Sequence, residues 1–206
     1  MDRKQYWEGV YSTKSPQEVS WFQKHADISL KLIHDAGLGK DAAIIDVGGG
    51  ASTLVDDLVN EGYTDITILD LSSAALDVAK RRLGKSADTV HWMCGDITRA
   101  NFPTHCLDVW HDRAVFHFLT DPADRQAYID LVMRAIRPGG HVIVATFGEN
   151  GPTQCSGLPV MRYNPESLHN EFGGGFVLVE HQEEVHHTPA GKTQQFIYCY
   201  CRKESH

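Results

Sequence analysis

The chain alternates short apolar runs with amphipathic helical patterns, and this alternation limits its fold more than any other feature. Runs such as Ala42 to Val47 and His141 to Phe147 are largely hydrophobic throughout rather than at every second residue. Such runs are typical of parallel strands that are covered on both faces. Helical patterns such as Pro122 to Gly140 lie between them. This β-α-β-α-β series predicts an α/β fold, a doubly wound sheet that is mostly parallel.

The two ends of the chain have a different character. Residues 164–175 predict one more helix, and two strand patterns joined by the turn at residues 188–192 follow it. A hairpin of this kind predicts one antiparallel C-terminal strand in the sheet. Residues 1–40 precede the first core strand and hold several aromatic side chains. We interpret 1–40 as a helical N-terminal cap or lid of the same domain and 41–206 as its core.

Composition restricts the partners and the compartment. A length of 206 residues with 42% hydrophobic content fits one domain with a substantial core. A formal net charge of −8 gives no reason to expect attraction to nucleic acid or to an anionic membrane. The chain has neither an apolar leader pattern nor a membrane-span pattern, so we expect a soluble, cytoplasmic protein. Its five cysteines include no C-x-x-C pair, which argues against a disulfide framework or a zinc ribbon.

A glycine turn directly follows the first predicted core strand, in the stretch from Ile44 to Ser52. Glycines at such a turn let the backbone approach a ligand closely, and the next helix offers unpaired N–H groups. A dinucleotide fingerprint requires a third glycine after Gly48 and Gly50, but Thr53 occupies that position. The turn therefore favours a nucleotide-type ligand without a bound pyrophosphate.

The pattern D-x-G-x-G-x-S from Asp46 to Ser52 resembles motif I of the class I S-adenosylmethionine-dependent methyltransferases. The resemblance implies that Asp46 lies near the amino group of the cofactor's methionine part. It also implies that the backbone of Gly48, Gly49 and Gly50 faces the amino acid and the sugar, with Ser52 closing the turn.

Later positions extend this resemblance. Asp70 ends the second strand pattern, 24 residues after Asp46, with Leu71 beside it. In that family the acid at this place accepts the ribose hydroxyls. Asp96 and Ile97 end the third strand pattern, where the family uses an acid to accept from the adenine amino group. The run Arg137 to Gly140 matches the turn before the fifth strand. The resemblance covers nearly the whole chain and implies a seven-stranded Rossmann-like sheet.

The N-terminal part is also similar to the elongation-factor lysine methyltransferases and their small relatives. Those proteins place a Trp, a Tyr four residues later and another Trp in contact with the cofactor, which here are Trp7, Tyr11 and Trp21. The run Cys155 to Pro159 does not map onto those lysine enzymes, so a shared substrate does not follow from the resemblance.

Candidates for the acceptor side follow the fourth strand pattern. Methyl transfer from a sulfonium requires alignment of the acceptor and a place for any proton that the acceptor loses. We predict His111 as a possible base and Asp112 and Arg113 as groups that orient a ligand, with Asp112 also touching the cofactor. An ion pair or a cap is the structural alternative for Asp112 and Arg113. The long loop from Gly148 to Tyr163 is a candidate substrate lid, with Cys155 and Arg162 facing the acceptor.

Two histidine-containing segments are given structural interpretations. His117 follows the fourth strand pattern, and we expect it to be packed and hydrogen-bonded rather than catalytic. The segment from Glu180 to His187 suggests metal binding, but alternation along a strand divides its potential ligands between two faces. A solvated strand edge is the favoured interpretation, and no metal is expected.

Three functions remain open at this point. The first is an S-adenosylmethionine-dependent methyltransferase with a small-molecule acceptor at oxygen, nitrogen or sulfur. The second is a protein lysine methyltransferase, which the N-terminal aromatic residues favour. The third is a non-catalytic cofactor-binding module, which the full set of acids and glycines disfavours. The oligomeric state and the attacking atom are not determined by the sequence.

Overall fold

The computed structural model describes residues 3–13, 15 and 18–205. Seven strands form one sheet, and a separate two-stranded hairpin lies between the fifth strand and the last helix. In chain order the strands are β1 (Ala43–Val47), β2 (Asp65–Asp70), β3 (Val90–Cys94), β4 (Leu107–Arg113), β5 (Ile136–Phe147), β6 (Gln154–Cys155), β7 (Leu158–Pro159), β8 (Phe176–His187) and β9 (Thr193–Lys203).

Helices cover both faces of this sheet. They are α1 (Arg3–Thr13), α2 (Asp27–Asp35), α3 (Leu54–Asn60), α4 (Ser73–Leu83), α5 (Pro122–Ala135) and α6 (Pro165–Phe172). Several begin at side-chain caps that are visible in the sequence. Asp121 accepts from the backbone of Ala123 at the start of α5, and Asn164 forms a capping box with Ser167 at the start of α6.

The strand order is β3-β2-β1-β4-β5-β9-β8. β1 to β5 are parallel to one another, whereas β9 is antiparallel to both β5 and β8. The predicted seven-stranded, mostly parallel sheet with one antiparallel C-terminal strand is therefore confirmed. One boundary differs, because the turn expected before the fifth strand belongs to β5 itself. The register shifts between Leu107 and Val109, and Gly139 has a φ of 78°, which accommodates the irregularity.

The continuous apolar runs are explained by burial on both faces. Every residue of β1 is buried. On one face, Ile45, Trp110 and Val132 belong to a core that includes α5 and α6. On the other face, Ile44 and Leu54 belong to a core that includes α2, α3 and α4. Burial of this kind is the main stabilising contribution to such a domain.

The topology marks one edge of the sheet as the place for a ligand. From β1 the chain continues outward to β2 and β3, and then returns to form β4 and β5 on the other side of β1. The carboxyl ends of β1 and β4 are therefore the switch point, where open α/β sheets bind ligands. Among the described residues, no helix is both long enough and apolar enough to cross a membrane.

Candidate functional site

The glycine turn after β1 is held against the neighbouring strands by backbone contacts. The Gly48 N–H donates to the carbonyl of Leu69 over 2.7 Å, and the Gly50 N–H donates to Asp70 Oδ2 over 3.1 Å. Gly48 has a φ of 72°, which favours glycine. A Cβ on Gly50 would lie 2.6 Å from the Cβ of Ala75. Side chains are therefore excluded from this turn, and its backbone lines the cleft.

Asp46 is buried beneath this turn and, among the described residues, forms one side-chain hydrogen bond. Its Oδ1 lies 2.7 Å from Nδ1 of His111, and Nε2 of the same ring lies 2.8 Å from Oγ of Ser29. Asp46 and His111 are each 2% exposed, and Ser29 is fully buried. Within the described part of the chain, Asp46 Oδ2 has no hydrogen-bond partner although it is buried. A buried carboxylate oxygen in this condition requires a donor.

Asp70 lies at the end of β2 and supports the glycine turn from the side. Besides the bond from Gly50, its Oδ1 accepts from the backbone N–H of Ser72 over 2.8 Å. Burial raises the pKa of Asp70 to about 6, and these two backbone donors oppose that rise. Each oxygen retains a lone pair, so the carboxylate can still accept hydroxyl donors from the cleft.

Asp96 lies at the end of β3, where it caps a short helical turn. Its Oδ1 accepts from the backbone N–H of Thr98 over 2.9 Å and from the Thr98 hydroxyl over 2.8 Å. No bond to its Oδ2 occurs among the described residues, and Asp96 lines the same pocket as Asp70. Leu71 and Ile97 are apolar neighbours in that lining. The arrangement suits a flat, partly polar group.

Aromatic side chains from the N-terminal region close this pocket from above. The rings of Trp7 and Trp21 are 5.6 Å apart, and each lies 6.3 Å from the ring of Tyr11. Phe118 packs edge to face against Trp7 at 5.3 Å. The three aromatic residues that the sequence singled out are thus brought together, and Phe118, from the turn after β4, joins them.

Helix α1 is anchored to the core by a carboxylate that sequence analysis did not single out. Glu8 accepts from the backbone N–H groups of Ser73 and Ala74 and from the hydroxyls of Ser72 and Ser73. Burial acts to raise the pKa of Glu8, but these bonds lower it overall. Because the first N–H groups of a helix lack intrahelical partners, Glu8 caps α4 from a distant part of the chain.

The predicted acceptor-side residues at the end of β4 have separate surroundings. Asp112 is fully buried and does not line either pocket. It accepts from the Tyr128 hydroxyl over 2.7 Å and from the backbone N–H groups of Val115 and Phe116. Its oxygens thus face Tyr128 of α5 and the backbone of the turn after β4, and contact with the cofactor stays a prediction. Burial raises the pKa of Asp112 to about 6.

Arg113 does reach the cleft, where each of its three guanidinium nitrogens donates a hydrogen bond. It donates to the Tyr198 hydroxyl, to the carbonyl of Trp21 and to Glu184, over 2.9, 3.2 and 3.1 Å. Glu184 also accepts from Gln23 over 2.6 Å. The ion pair therefore ties β4 to β8 and to the N-terminal segment, and it leaves little capacity for a ligand.

The loop from Gly148 to Tyr163 contributes one residue to the pocket. Cys155 lines it and is buried, whereas Arg162 donates to the carbonyls of Glu149 and Gly151 within its own loop. The Tyr6 hydroxyl donates to the carbonyl of Ser156, so α1 also contacts this loop. His117 is fully buried, accepts from the backbone of Phe147 and does not line the pocket, as expected for a packed histidine.

These elements form two adjoining pockets that share Tyr11, Trp21, Gly48 and Arg113. The larger pocket lies over β2, β3 and the turn after β4. The smaller lies over the glycine turn and is lined by Asp46, Gly49, Ser52 and His111, among others. Ser52 Oγ also accepts from the backbone of Leu54 over 3.2 Å. In the described ranges, no group of three or more His, Cys, Asp or Glu side chains is arranged to hold a metal ion.

Comparison with known proteins finds one family model that matches part of this chain. The sequence profile described as "Methyltransferase domain" matches residues 44–140. These residues run from the second residue of β1 into β5 and include both predicted acids at the ends of β2 and β3. The zebrafish (Danio rerio) protein named EEF1A lysine methyltransferase 2 is 23% identical over 194 residues, which are 85% of this chain and 76% of that protein.

Solved structures share the fold over almost the whole chain. A structure from a study of the conversion of a disulfide bond into a thioacetal group during echinomycin biosynthesis aligns with a TM-score of 0.79 at 19% identity, covering 98% of this chain and 92% of that one. The 1,6-didemethyltoxoflavin-N1-methyltransferase of Burkholderia thailandensis, crystallised with 1,6-didemethyltoxoflavin and S-adenosylhomocysteine, aligns with a TM-score of 0.69 at 14% identity. That alignment covers 98% of this chain and 84% of the other.

Proposed function

We propose that this chain, a class I S-adenosylmethionine-dependent methyltransferase, transfers the methyl group to a small, largely apolar molecule held under its N-terminal helix. The observation that carries this proposal is the character of the larger pocket beyond the acids of β2 and β3. Its remaining lining is mostly aromatic and aliphatic, and it comes from α1, the turn after β4 and the loop after β5.

The smaller pocket fits the amino acid end of the cofactor. Asp46 Oδ2 is buried without a partner there, and an ammonium group is the donor that best satisfies it. The bare backbone of Gly48 and Gly49 lets a ligand approach closely. We therefore assign Asp46, Gly48, Gly49 and Ser52 to the methionine part of S-adenosylmethionine, with Gly50 holding Asp70 in place.

The larger pocket fits the nucleoside end. The Asp70 oxygens retain lone pairs that can accept two ribose hydroxyls. Asp96 Oδ2, which has no partner among the described residues, can accept from the adenine amino group. Leu71 and Ile97 supply apolar surface for the adenine ring. Bound in this way, S-adenosylmethionine supplies a methyl group on a positively charged sulfur. The aromatic ring of Trp7 borders the larger pocket, and the rings of Tyr11 and Trp21 border both pockets. Aromatic faces attract cations, and the cofactor's sulfonium is one.

The acceptor end contains no side chain that is suited to take a proton at neutral pH, as far as the described residues extend. Burial raises the pKa of Cys155 to about 11, so its thiol stays protonated. Burial and the Arg113 charge lower the pKa of His117 to about 3, which makes it a weak base away from the pocket. His111 has both ring nitrogens engaged. We infer that the chain acts mainly by alignment and by excluding water, and that the acceptor attacks without a dedicated base.

Protein lysine methylation is the second candidate, and the zebrafish relative favours it. The net charge of −8 is compatible with docking of a basic protein. The positive charges at the acceptor end of the pocket oppose lysine methylation. Arg3 and Arg113 line the larger pocket, while its two carboxylates lie at the ends of β2 and β3. A lysine ammonium would have to lose its proton there, with an ordinary pKa near 10.4.

We also propose that residues 1–40 act as a lid of the same domain. Glu8 fastens α1 to the first turn of α4, and Tyr6 contacts the loop after β5. Trp7 and Tyr11 project from the same helix into the larger pocket. Because α1 has no buried residue of its own, few contacts resist its release. Opening of α1 would admit the cofactor and the acceptor, and closing would exclude water.

One labelling experiment tests the proposed function. Purified protein is incubated with cell lysate and S-adenosylmethionine carrying a radioactive methyl group, and the products are separated into protein and small-molecule fractions. We expect label in the small-molecule fraction, and less label with the Asp70→Ala variant at a limiting cofactor concentration. Label in protein bands would support lysine methylation instead. Measurable cofactor binding with no label in either fraction would contradict both transferase proposals.

A further inference from the structure

The strongest unexplained feature of the site is the chain of contacts behind Asp46. His111 is the direct neighbour of Asp46 across the parallel β1–β4 ladder, so the register itself brings the two side chains together. The ring then spans from the Asp46 carboxylate to the hydroxyl of Ser29 on α2, over 2.7 and 2.8 Å. All three residues are at least 98% buried.

The hydrogen-bond directions follow from the chemistry of the three groups. A carboxylate only accepts, so Nδ1 of His111 carries the proton and donates to Asp46 Oδ1. In the neutral ring Nε2 is then an acceptor, and the Ser29 hydroxyl donates to it. The same residue types in an open cleft can activate a serine for attack. Here Ser29 is fully buried in a helix, so the relay ends at the carboxylate rather than at the hydroxyl.

We propose that His111 and Ser29 are positioning residues that hold Asp46 for the α-amino group of S-adenosylmethionine. This inference rests on the proposed function. The bond from His111 fixes one oxygen of Asp46. The other oxygen, Oδ2, is buried without a partner among the described residues, and Asp46 lines the smaller pocket. Ser29 fixes the ring in turn, and its place on α2 links the N-terminal region to the cofactor site. His111 is thus assigned a positioning role, and the role of base expected from the sequence is not proposed.

The test compares two ligands that differ in the group that Asp46 would hold. S-adenosylhomocysteine carries the α-amino group, whereas 5′-methylthioadenosine has the same nucleoside and sulfur without the amino acid. Affinities of both are measured by titration calorimetry for the wild type, His111→Leu, His111→Asn and Ser29→Ala. His141→Phe is the matched control, because His141 is a buried histidine that contacts the Tyr200 hydroxyl on the far side of β5.

We expect His111→Leu to weaken S-adenosylhomocysteine binding by about tenfold or more, since a hydrogen bond to a charged group is lost, and to leave methylthioadenosine binding within about twofold. His111→Asn retains a donor at the position of Nδ1 and should recover most of the affinity. Ser29→Ala should give a smaller loss with the same selectivity, and His141→Phe should change neither affinity.

Equal weakening of both ligands would overturn the inference, because it would indicate general damage to the pocket. Unchanged affinity of either His111→Leu or Ser29→Ala for S-adenosylhomocysteine would also overturn the inference. So would a His111→Asn variant that recovers none of the lost affinity. Where His111→Leu fails to fold, the Ser29→Ala and His111→Asn comparisons still decide. A wild-type protein that binds neither ligand would instead contradict the proposed function.

Discussion

The two ends of the larger pocket are built in different ways. At the end over β2 and β3, each acid holds backbone N–H groups within a few residues of itself, as Asp70 does with Ser72 and Asp96 does with Thr98. At the other end, Trp7, Phe118 and Cys155 come from three distant segments and meet through ring packing and apolar contact. The first end is a polar site with fixed hydrogen bonds, and the second is an apolar enclosure.

This difference indicates which part of the reaction each end controls. Hydrogen bonds from a rigid strand end recognise one defined ligand, and the same cofactor serves many acceptors. An enclosure of aromatic side chains recognises shape and apolar surface, and it changes when any of its segments changes. Substitutions at the polar end should therefore alter cofactor affinity, and substitutions at the apolar end should alter the acceptor.

The largest effects are expected from two acids at the carboxyl ends of β2 and β4. Asp70→Ala should weaken S-adenosylhomocysteine binding by about 1–3 kcal/mol, because charged hydrogen bonds are lost. Asp112→Ala should instead lower the free energy of unfolding by about 2–4 kcal/mol, since Tyr128 and two backbone N–H groups lose their buried acceptor. Calorimetric titration and urea unfolding measure the two quantities. Loss of cofactor affinity in a folded Asp112→Ala protein would show that this acid does contact the ligand.

The apolar end is tested by Phe118→Ala. Removal of the ring that packs on Trp7 should lower kcat/KM for the acceptor by about 1–2 kcal/mol, the scale of lost aromatic packing. Affinity for S-adenosylhomocysteine should change by less than about twofold. Steady-state kinetics with the acceptor found in the labelling experiment provides the measurement. A decrease in affinity for S-adenosylhomocysteine as large as the decrease in kcat/KM for the acceptor would contradict the proposed division between the two ends.

A pH series separates binding from folding at Asp70. Its pKa of about 6 is above the ordinary value of 3.8, so the free protein holds this proton more tightly than the unfolded chain does. The contribution of Asp70 to stability therefore rises as the pH falls from 6 toward 4. Cofactor affinity should move in the opposite direction, falling by about tenfold between pH 6.5 and pH 5, because the hydroxyl donors need the carboxylate. Asp70→Asn should lose this pH dependence, and its persistence there would assign it to another group.

The smallest effect concerns the attachment of the lid. Glu8→Gln should speed the dissociation of S-adenosylhomocysteine by about two- to fivefold, because the cap on α4 loses its charge. Stopped-flow tryptophan fluorescence can follow this rate. Asp124→Asn is the matched control, since it breaks the exposed ion pair with Arg3 on the same helix, and surface pairs of this kind contribute little. Equal rates for all three proteins would argue against α1 as a lid.

Sequence reasoning located most of the cleft but assigned several side chains incompletely. Asp46, Gly48, Asp70 and Asp96 were predicted from short motifs, and all four lie along the cleft. The orientation of the next residues could not be read in the same way. Adjacent positions of a strand face opposite sides, so His111 lies toward Asp46 while Asp112 lies toward α5, although both follow the same apolar run.

Glu8, Ser29 and Phe118 were not predicted as parts of the site at all. Glu8 is one of 27 acidic residues in the chain, and only the packing of α1 on α4 shows its capping role. Ser29 acts through a ring that is 82 positions away in the chain. A weak signal existed for Phe118, because it is one of three consecutive bulky residues directly after β4.

By itself, the sequence determined the order of strands and helices, the glycine turn and the acids that end the strands. These features depend on periodicity and on backbone geometry within a few residues. Only the tertiary structure decided what stands behind Asp46, which acid faces the protein interior and which rings enclose the acceptor end. Those relations depend on which strands become neighbours and on how segments that are distant in the sequence pack against one another. Contacts of that kind are set by the free energy of burying whole surfaces, which no short stretch of sequence contains.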